Sequence, residues 1–148
     1  MSQRISYHQV APEAVQALRG VSAYIKSCSI EAPLRFLVEL RISQINGCVY
    51  CVTMHSREAR EAGVSQSKLD CLPVWREAPY YEPRERAALA WAESVTLISQ
   101  TGVPDEAYEE ARRHFSEKEL VDLTVIVGMM NLWNRMAVSF RLPPSAQT

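Results

Sequence analysis

The stretch that decides the fold runs Ser43-Gln44-Ile45-Asn46-Gly47-Cys48-Val49-Tyr50-Cys51-Val52-Thr53-Met54-His55. Asn46-Gly47 is typical of a helix end, and the residues after it favour a new helix. On a helix that turns about 100° per residue, Cys48, Cys51 and His55 stand at relative angles of roughly 0°, 300° and 340°. The sequence therefore predicts two thiols and an imidazole on one stripe, roughly 60° wide.

This helix start bears directly on thiol chemistry. Unpaired backbone N–H groups and the positive end of the helix dipole favour a thiolate at Cys48. His55 follows Cys51 by four residues, so the imidazole can hydrogen-bond or deprotonate that sulfur. Residues three apart on a helix have Cα atoms about 5–5.5 Å apart, which a disulfide accepts. The motif predicts a redox-active Cys48–Cys51 pair in which Cys51 attacks the substrate, and the opposite assignment also stays open.

Three other interpretations of the cysteine pair fit the sequence less well. A structural zinc site needs four ligands, yet the chain has no second Cys-x-x-Cys and no His-x-x-x-His. Attachment of haem needs a histidine directly after the second cysteine, where Val52 stands. Two ordinary core cysteines would need neither a histidine nor a helix start. We therefore expect no metal and no cofactor.

Length and composition restrict the class of protein. With 148 residues the chain is long enough for one domain, predicted over residues 1–148 with the redox core at about 34–99. The formal net charge is −1, and the acidic and basic residues are scattered along the chain without clusters. We therefore expect neither nucleic acid nor membrane as a partner. The N-terminus lacks the apolar run of a signal peptide, which predicts a cytoplasmic protein. Cys28 and Cys71 are expected to be small buried hydrophobic residues.

The pattern of helix starts and stops predicts an all-α fold. A proline opens several helices, and a capping box at Ser116 to Glu119 opens the last. That last helix is apolar on nearly every side, which predicts burial within the domain or between subunits. The expected helices cover residues 12–27, 33–45, 47–62 with Gly63 as cap, a short helix from Ser65 closed by Pro73, 84–99, one from Pro104 to His114, and one from Ser116 onward. Residues 73–83 are expected to be irregular, and His8 to lie in an arm without regular structure.

The residues around the motif resemble the alkylhydroperoxidase AhpD / carboxymuconolactone decarboxylase family, in its small redox-active branch. The resemblance begins near Leu34 and covers most of the chain, including 40–48, the Cys-x-x-Cys-x-x-x-His core, 75–81, 84–93 and 131–135. It implies an all-helical homo-oligomer, a trimer or hexamer, that reduces alkyl hydroperoxides through its cysteines. The cysteine pair argues against the decarboxylase branch. An external dithiol must reopen the disulfide, because the chain holds no second redox motif.

The resemblance also implies a glutamate twelve residues before the first cysteine, as the start of a proton relay. This chain has Phe36 at that position. Glu39, one helical turn later, and Glu93, in a helix downstream, are candidate substitutes. As alternatives, Glu39 is an ion-paired or surface carboxylate, with Arg35 or Arg41 as partner, and Glu93 is exposed to solvent. Without a relay acid, His55 alone must take the proton from Cys51.

Two further functions compete with a peroxidase of the peroxiredoxin type. The dithiol could exchange with protein thiols as a thiol–disulfide oxidoreductase that barely meets peroxide. It could also act as an oligomeric redox sensor in which the disulfide changes subunit contacts. Turnover of peroxide with a dithiol reductant distinguishes the first function from both alternatives.

Overall fold

Helices account for all regular structure in residues 2–144, which the computed structural model describes, and this range contains no β-strand. Met1 and residues 145–148, which the predicted domain of 1–148 includes, lie outside the described range. The nine α-helices of that range are α1 (Tyr7–Val10), α2 (Pro12–Ser27), α3 (Ala32–Ile45), α4 (Val49–Glu61), α5 (Gln66–Cys71), α6 (Pro83–Thr96), α7 (Ile98–Thr101), α8 (Asp105–His114) and α9 (Glu117–Phe140), with a 3₁₀ turn at Leu72–Val74. The all-α prediction is confirmed.

Local sequence sets most of the helix boundaries. Proline stands in the first turn of α2, α3 and α6, and the capping box of Ser116 and Glu119 opens α9 as expected. Three details differ from the prediction. The helix expected over 84–99 is interrupted at Leu97, where φ is −99° and ψ is 33°. Pro73 lies inside the 3₁₀ turn, so the helical segment continues past it to Val74. His8 belongs to α1 and not to an arm without regular structure.

Helix α3 lies at the centre of the molecule and packs against α4, α6 and α9. On one side it contributes to a core in which the two cysteines of the motif pack with apolar side chains of α9, including Leu123, Ile126 and Val127. On the other side Leu37 and Leu40 meet Leu72, Trp75 and Leu89. Each fully buried aliphatic side chain of this kind contributes about 1.5–3 kcal/mol. The dithiol is thus built into a core and not placed on a mobile loop.

A polar network fixes the turn between α3 and α4. The Asn46 side-chain amide donates to Asn131 Oδ1 at 3.0 Å and to Asn134 Oδ1 at 2.9 Å, and the Asn134 amide donates to Ser43 Oγ at 3.1 Å. Gly47 has a φ of +66°, a left-handed conformation that glycine adopts without strain. Because Asn131 and Asn134 belong to α9, the longest helix holds the start of α4 in place.

A second polar cluster joins α2 to α9. Asp122 is fully buried and accepts hydrogen bonds from Tyr24, Ser29 and Lys118. Burial acts to raise the pKa of Asp122, but these donors outweigh it and hold the pKa far below its usual range. The buried charge inside α9 also interrupts its apolar surface. Among residues 2–144, no helix is both long and apolar enough to cross a bilayer.

Candidate active site

The two cysteines lie at the start of α4 and are joined as a disulfide. Cys48 is the N-cap residue of α4, and its Sγ accepts a hydrogen bond from the Cys51 backbone N–H at 3.3 Å. The Cα atoms are 5.4 Å apart, within the range that a disulfide accepts. Cys48 is 1% exposed and Cys51 is 2% exposed. Exchange with a reagent in solution therefore depends on the cavities that reach the two sulfurs.

His55 lies one turn beyond Cys51 on α4 and is 6% exposed. Its Nδ1 is 2.8 Å from Glu58 Oε2 and 3.5 Å from Glu39 Oε2. Because an ionised carboxylate only accepts hydrogen bonds, the contact with Glu58 places the imidazole proton on Nδ1. The other nitrogen, Nε2, is buried and makes no hydrogen bond to the described residues. Nε2 of a neutral imidazole held in this way is an acceptor, available to take a proton.

The pKa values of the two carboxylates beside His55, Glu39 and Glu58, are shifted in opposite directions. Burial raises the pKa of Glu39, and the nearby His55 and Arg35 oppose this effect without cancelling it. The hydrogen bond with His55 is the main reason that the pKa of Glu58 is lowered. Environments that separate the pKa values of two neighbouring acids give them different roles. Glu58 is the anionic partner of the imidazole, whereas Glu39 holds a proton more readily.

A cavity of about 300 Å³ brings these groups together. It lies between α2, α3, α4 and α9, with Tyr7 of α1 at its edge, and Cys51 and His55 both line it. Its other walls are mainly apolar and are formed by Ile25, Phe36, Tyr50, Met54, Ile126, Met129, Met130, Trp133 and Ala137. Cys48 instead lines a second, open cleft with Arg4, Arg141 and residues 142–144. The two residues of the disulfide thus line different cavities.

Phe36, which replaces the glutamate expected from the family resemblance, forms part of the cavity wall. The Arg35 guanidinium lies over its ring, 4.6 Å from the ring centroid. Glu39 occupies the position next to His55 and lies 4.0 Å from Arg35 Nε. Both interpretations of Glu39 therefore match a contact in the structure: it is near a cation, and it is near the histidine.

The structure places Glu93 apart from the dithiol. It is only 9% exposed, so the expectation of solvent exposure is wrong. Glu93 accepts hydrogen bonds from Arg41 Nε at 2.7 Å, Trp75 Nε1 at 2.9 Å and Arg76. Burial acts to raise its pKa, and these three donors together lower it. Glu93 does not line the cavity of Cys51 and His55, and its role as a relay acid stays a prediction.

Two residues of this site escaped the sequence analysis. Glu58 is three positions after His55, a neighbour spacing on a helix, so helical geometry alone could have placed it beside the imidazole. Arg35 was expected only as an ion partner of Glu39, and its position in the cavity depends on the packing of α2 against α9, which brings the Ile25 carbonyl within hydrogen-bond distance of its guanidinium. Cys28 and Cys71 are unpaired and half-buried, so the expectation of full burial is wrong for both. Within residues 2–144, no three His, Cys, Asp or Glu side chains cluster so as to hold a metal ion.

Fold and site together define an all-helical protein with a disulfide-forming Cys-x-x-Cys pair of the AhpD type. The sequence model of the carboxymuconolactone decarboxylase family matches residues 11–94, a range that includes the dithiol and His55. The chain belongs to this family.

Related proteins agree with this assignment. YdfG of Bacillus subtilis (strain 168), an uncharacterised protein, is 41% identical over 139 residues, which are 94% of this chain and 95% of YdfG. A crystal structure from Agrobacterium tumefaciens has a TM-score of 0.96 and 43% identity, and the match covers 99% of this chain and 100% of that one. It is a protein of unknown function, named as a candidate antioxidant defence protein AhpD.

A third match comes from Ralstonia eutropha JMP134. This uncharacterised peroxidase-related protein with an alkylhydroperoxidase AhpD core has a TM-score of 0.83 and 25% identity, over 93% of this chain and 74% of that one. The relatives confirm the fold class and the family resemblance, and they support a peroxidase-related redox role.

Proposed function

We propose that this protein is a cysteine-dependent hydroperoxide reductase that works through a Cys48/Cys51 dithiol–disulfide cycle assisted by His55. The observation that carries the proposal is the shared cavity: Cys51 and His55 line one mainly apolar pocket, and Nε2 of His55 has no hydrogen-bond partner among the described residues. Two carboxylates stand behind the imidazole, at 2.8 and 3.5 Å from Nδ1. Such a base, oriented by acceptors on its far nitrogen, is the arrangement that activates a thiol nucleophile.

The first half of the cycle reduces the peroxide. His55 Nε2 takes the proton of the Cys51 thiol, and the thiolate attacks one oxygen of the hydroperoxide. The O–O bond breaks, the remaining oxygen takes a proton from the imidazolium, and an alcohol leaves. Cys51 is then a sulfenic acid. The Cys48 sulfur attacks the Cys51 sulfur, the proton of the Cys48 thiol passes to the departing hydroxide, which leaves as water, and the disulfide forms.

The second half of the cycle restores the dithiol. An external dithiol attacks one sulfur, forms a mixed disulfide and closes on itself, so that two electrons and two protons pass to Cys48 and Cys51. Glu58 holds Nδ1–H in place throughout, and Glu39, 3.5 Å from the same nitrogen, stabilises the imidazolium while Nε2 carries the Cys51 proton. Glu39 thereby takes the place of the glutamate that the family resemblance implies at the position of Phe36.

Trapping of the sulfenic acid tests this assignment of roles. Variants Cys48→Ser and Cys51→Ser, each with Cys28 and Cys71 also replaced by Ser, are treated with limiting cumene hydroperoxide and then with dimedone. We expect labelling of Cys48→Ser and none of Cys51→Ser. Labelling of Cys51→Ser alone would reverse the two roles, and labelling of neither would count against peroxide chemistry.

A turnover assay separates the peroxidase from its alternatives. Wild type with excess dithiothreitol should consume many equivalents of cumene hydroperoxide per chain, and Cys51→Ser should consume none. Reduction of protein disulfides without peroxide turnover would favour the thiol–disulfide oxidoreductase. A single equivalent of oxidation with a change in oligomer mass would favour the redox sensor.

A further inference from the structure

The cavity beside Cys51 contains an arginine whose hydrogen-bonding capacity is largely unused. Arg35 is only 8% exposed and lines the cavity together with Cys51 and His55. A guanidinium has five N–H donors in a planar fork. Among the described residues its one hydrogen bond runs from Nη1 to the Ile25 carbonyl oxygen, at 3.4 Å. Buried arginines are normally paired, so this one is suited to an anion that enters the cavity.

Neither nearby carboxylate accepts a hydrogen bond from the Arg35 guanidinium among the described residues. Glu39 Oε2 lies 4.0 Å from Nε, beyond hydrogen-bond distance, and burial favours its protonated form. Glu58 is engaged with His55 at 2.8 Å. The remaining cation of the cavity is Lys26, which is exposed at its edge and adds positive potential. Both carboxylates attract Arg35 electrostatically, but neither accepts a hydrogen bond from it, so its other N–H donors are available to a further acceptor in the cavity.

The position of Arg35 sets where that negative group would lie. Contacts of 4.0 Å and 3.5 Å link Arg35 Nε through Glu39 Oε2 to His55 Nδ1. The guanidinium is thus close to the catalytic end of the cavity but separated from it by one carboxylate. The Phe36 ring lies within cation–π distance of the guanidinium, 4.6 Å from its central carbon to the ring centroid, and helps to position it. The walls between these ends are aromatic and Met side chains, which accept a compact apolar body.

We propose that Arg35 is the anion anchor of this cavity, and that the substrate is a compact apolar hydroperoxide with a carboxylate at the end opposite the peroxide. This inference rests on the proposed function for its reaction and adds the class of substrate. The carboxylate pairs with the guanidinium fork, and the hydroperoxide lies against Cys51 and His55. The substrate takes two electrons and two protons from the dithiol and leaves as alcohol and water, with its carboxylate unchanged. A volume of about 300 Å³ suits a body of the size of a cumyl group.

Three matched substrates test the anchor. Cumene hydroperoxide, its para-carboxylate and the methyl ester of that acid differ only in the group expected to meet Arg35. With wild type we expect the KM of the acid to be at least tenfold below that of the ester, with similar kcat, because the anchor binds ground state and transition state alike. Equal KM values for acid and ester would overturn the proposal.

Arginine variants assign the preference to one side chain. Arg35→Met should raise the ratio of the KM of the acid to the KM of the ester about tenfold or more, whatever change in rate the three substrates share. Arg35→Lys keeps the charge without the fork, and its ratio should fall between those of wild type and Arg35→Met. Arg57→Met is the matched control, because Arg57 is an exposed cation on α4 that does not line the cavity. An equal loss for all three substrates in both Arg35 variants would show a structural role and overturn the proposal.

A binding measurement keeps the anchor separate from the chemistry. The product alcohol, 4-(2-hydroxypropan-2-yl)benzoate, is titrated by calorimetry into wild type and Arg35→Met. Binding to wild type that is lost in Arg35→Met supports the anchor even if no hydroperoxide is turned over, in which case only the proposed function fails. Absence of binding to wild type would overturn the proposed role of Arg35. The peroxidase assay would still decide the proposed function independently.

Discussion

Glu58 is the residue whose contact with His55 is shortest, and the cycle depends on what that contact does to the ring. A carboxylate on Nδ1 keeps the proton there and leaves Nε2 as acceptor. Glu58→Gln presents a neutral amide that can also donate to Nδ1, which favours the wrong tautomer. We expect the rate of dithiol oxidation by cumene hydroperoxide to fall about tenfold or more, measured by stopped-flow fluorescence.

The matched control for this residue is Glu61→Gln. Glu61 is one turn further along α4, is exposed and faces Arg57 at 3.9 Å. Its replacement should leave the oxidation rate within twofold of wild type. Glu58→Asp, which keeps the charge, should recover part of the loss. An unchanged rate in Glu58→Gln would show that the tautomer of His55 does not depend on Glu58.

Glu39 gives a prediction for stability against pH. Because burial raises its pKa, folding favours the protonated acid. This contribution is fully present below the unfolded pKa of about 4.3 and is lost as pH rises through the higher folded pKa. Glu39→Gln stays neutral at every pH. Thermal unfolding should therefore show a higher Tm for Glu39→Gln than for wild type at pH 7, with the two curves converging near pH 4.

The outcome for Glu39→Gln also tests its place in the cycle. If Glu39 is the relay acid, the more stable variant should oxidise its dithiol more slowly than wild type. A variant that is less stable at pH 7 would contradict the assignment of Glu39 as a buried acid with raised pKa. Glu61→Gln again serves as control and should follow wild type at each pH.

Sequence spacing could predict which residues of α4 share a face, but not what faces them from elsewhere. Cys51 and His55 follow from the 3.6-residue period alone, whereas Cys48, predicted on the same stripe, is the extended N-cap residue and lines a different cleft. Burial of Glu39 could not be read from the chain, because a glutamate is normally exposed and only the packing of α2 and α9 closes the cavity around it. The same packing turns Arg35 from a surface cation into a cavity residue.

At the level of elements, Glu93 connects α6 to its neighbours through hydrogen bonds and so has a structural role. It lies on α6 and accepts donors from α3 and from the irregular segment after the 3₁₀ turn. Replacing Glu93 by Gln removes the buried charge that pairs with Arg41, and the donors of Arg41 and Trp75 then lack a charged acceptor. The ion pair with Arg76 contributes little to stability, because Arg76 is exposed. We expect Glu93→Gln to lower the free energy of unfolding by about 2–3 kcal/mol in urea.

The same variant tests the predicted catalytic role of Glu93. If Glu93 has only this structural role, folded Glu93→Gln should oxidise its dithiol within twofold of the wild-type rate. Glu77→Gln, an exposed acid in the same segment, should change neither stability nor rate. A tenfold slower oxidation with unchanged stability would instead establish Glu93 as a relay acid.

Element boundaries show where local signals succeed and where they fail. Prolines and the Ser116–Glu119 box predict the starts of α2, α3, α6 and α9 to within a residue. The interruption at Leu97 was not predicted, since no proline or glycine marks it. Short α1 was missed as well, because its buried residue is Tyr7, which packs on Phe140 from the far end of the chain.

At the scale of the whole molecule, the groups assigned to the reaction all come from one chain. Cys51, His55, Glu39, Glu58 and Arg35 line a single cavity within residues 2–144. The family resemblance nevertheless implies a homo-oligomer, and large apolar side chains such as Val74, Ile98 and Val121 are more than half exposed. We therefore predict that assembly covers such surface and supplies no group to the proposed chemistry.

This separation of assembly from chemistry can be measured by dilution. Native mass spectrometry should find a multiple of the 16.7 kDa chain, a trimer or hexamer, at micromolar concentration. Across the range in which the assembly dissociates, the second-order rate constant of dithiol oxidation by cumene hydroperoxide should stay within twofold. A 16.7 kDa species at every concentration would contradict the homo-oligomer. A rate constant that falls with the oligomer fraction would mean that a neighbouring subunit completes the site, because dilution changes no contact within one chain.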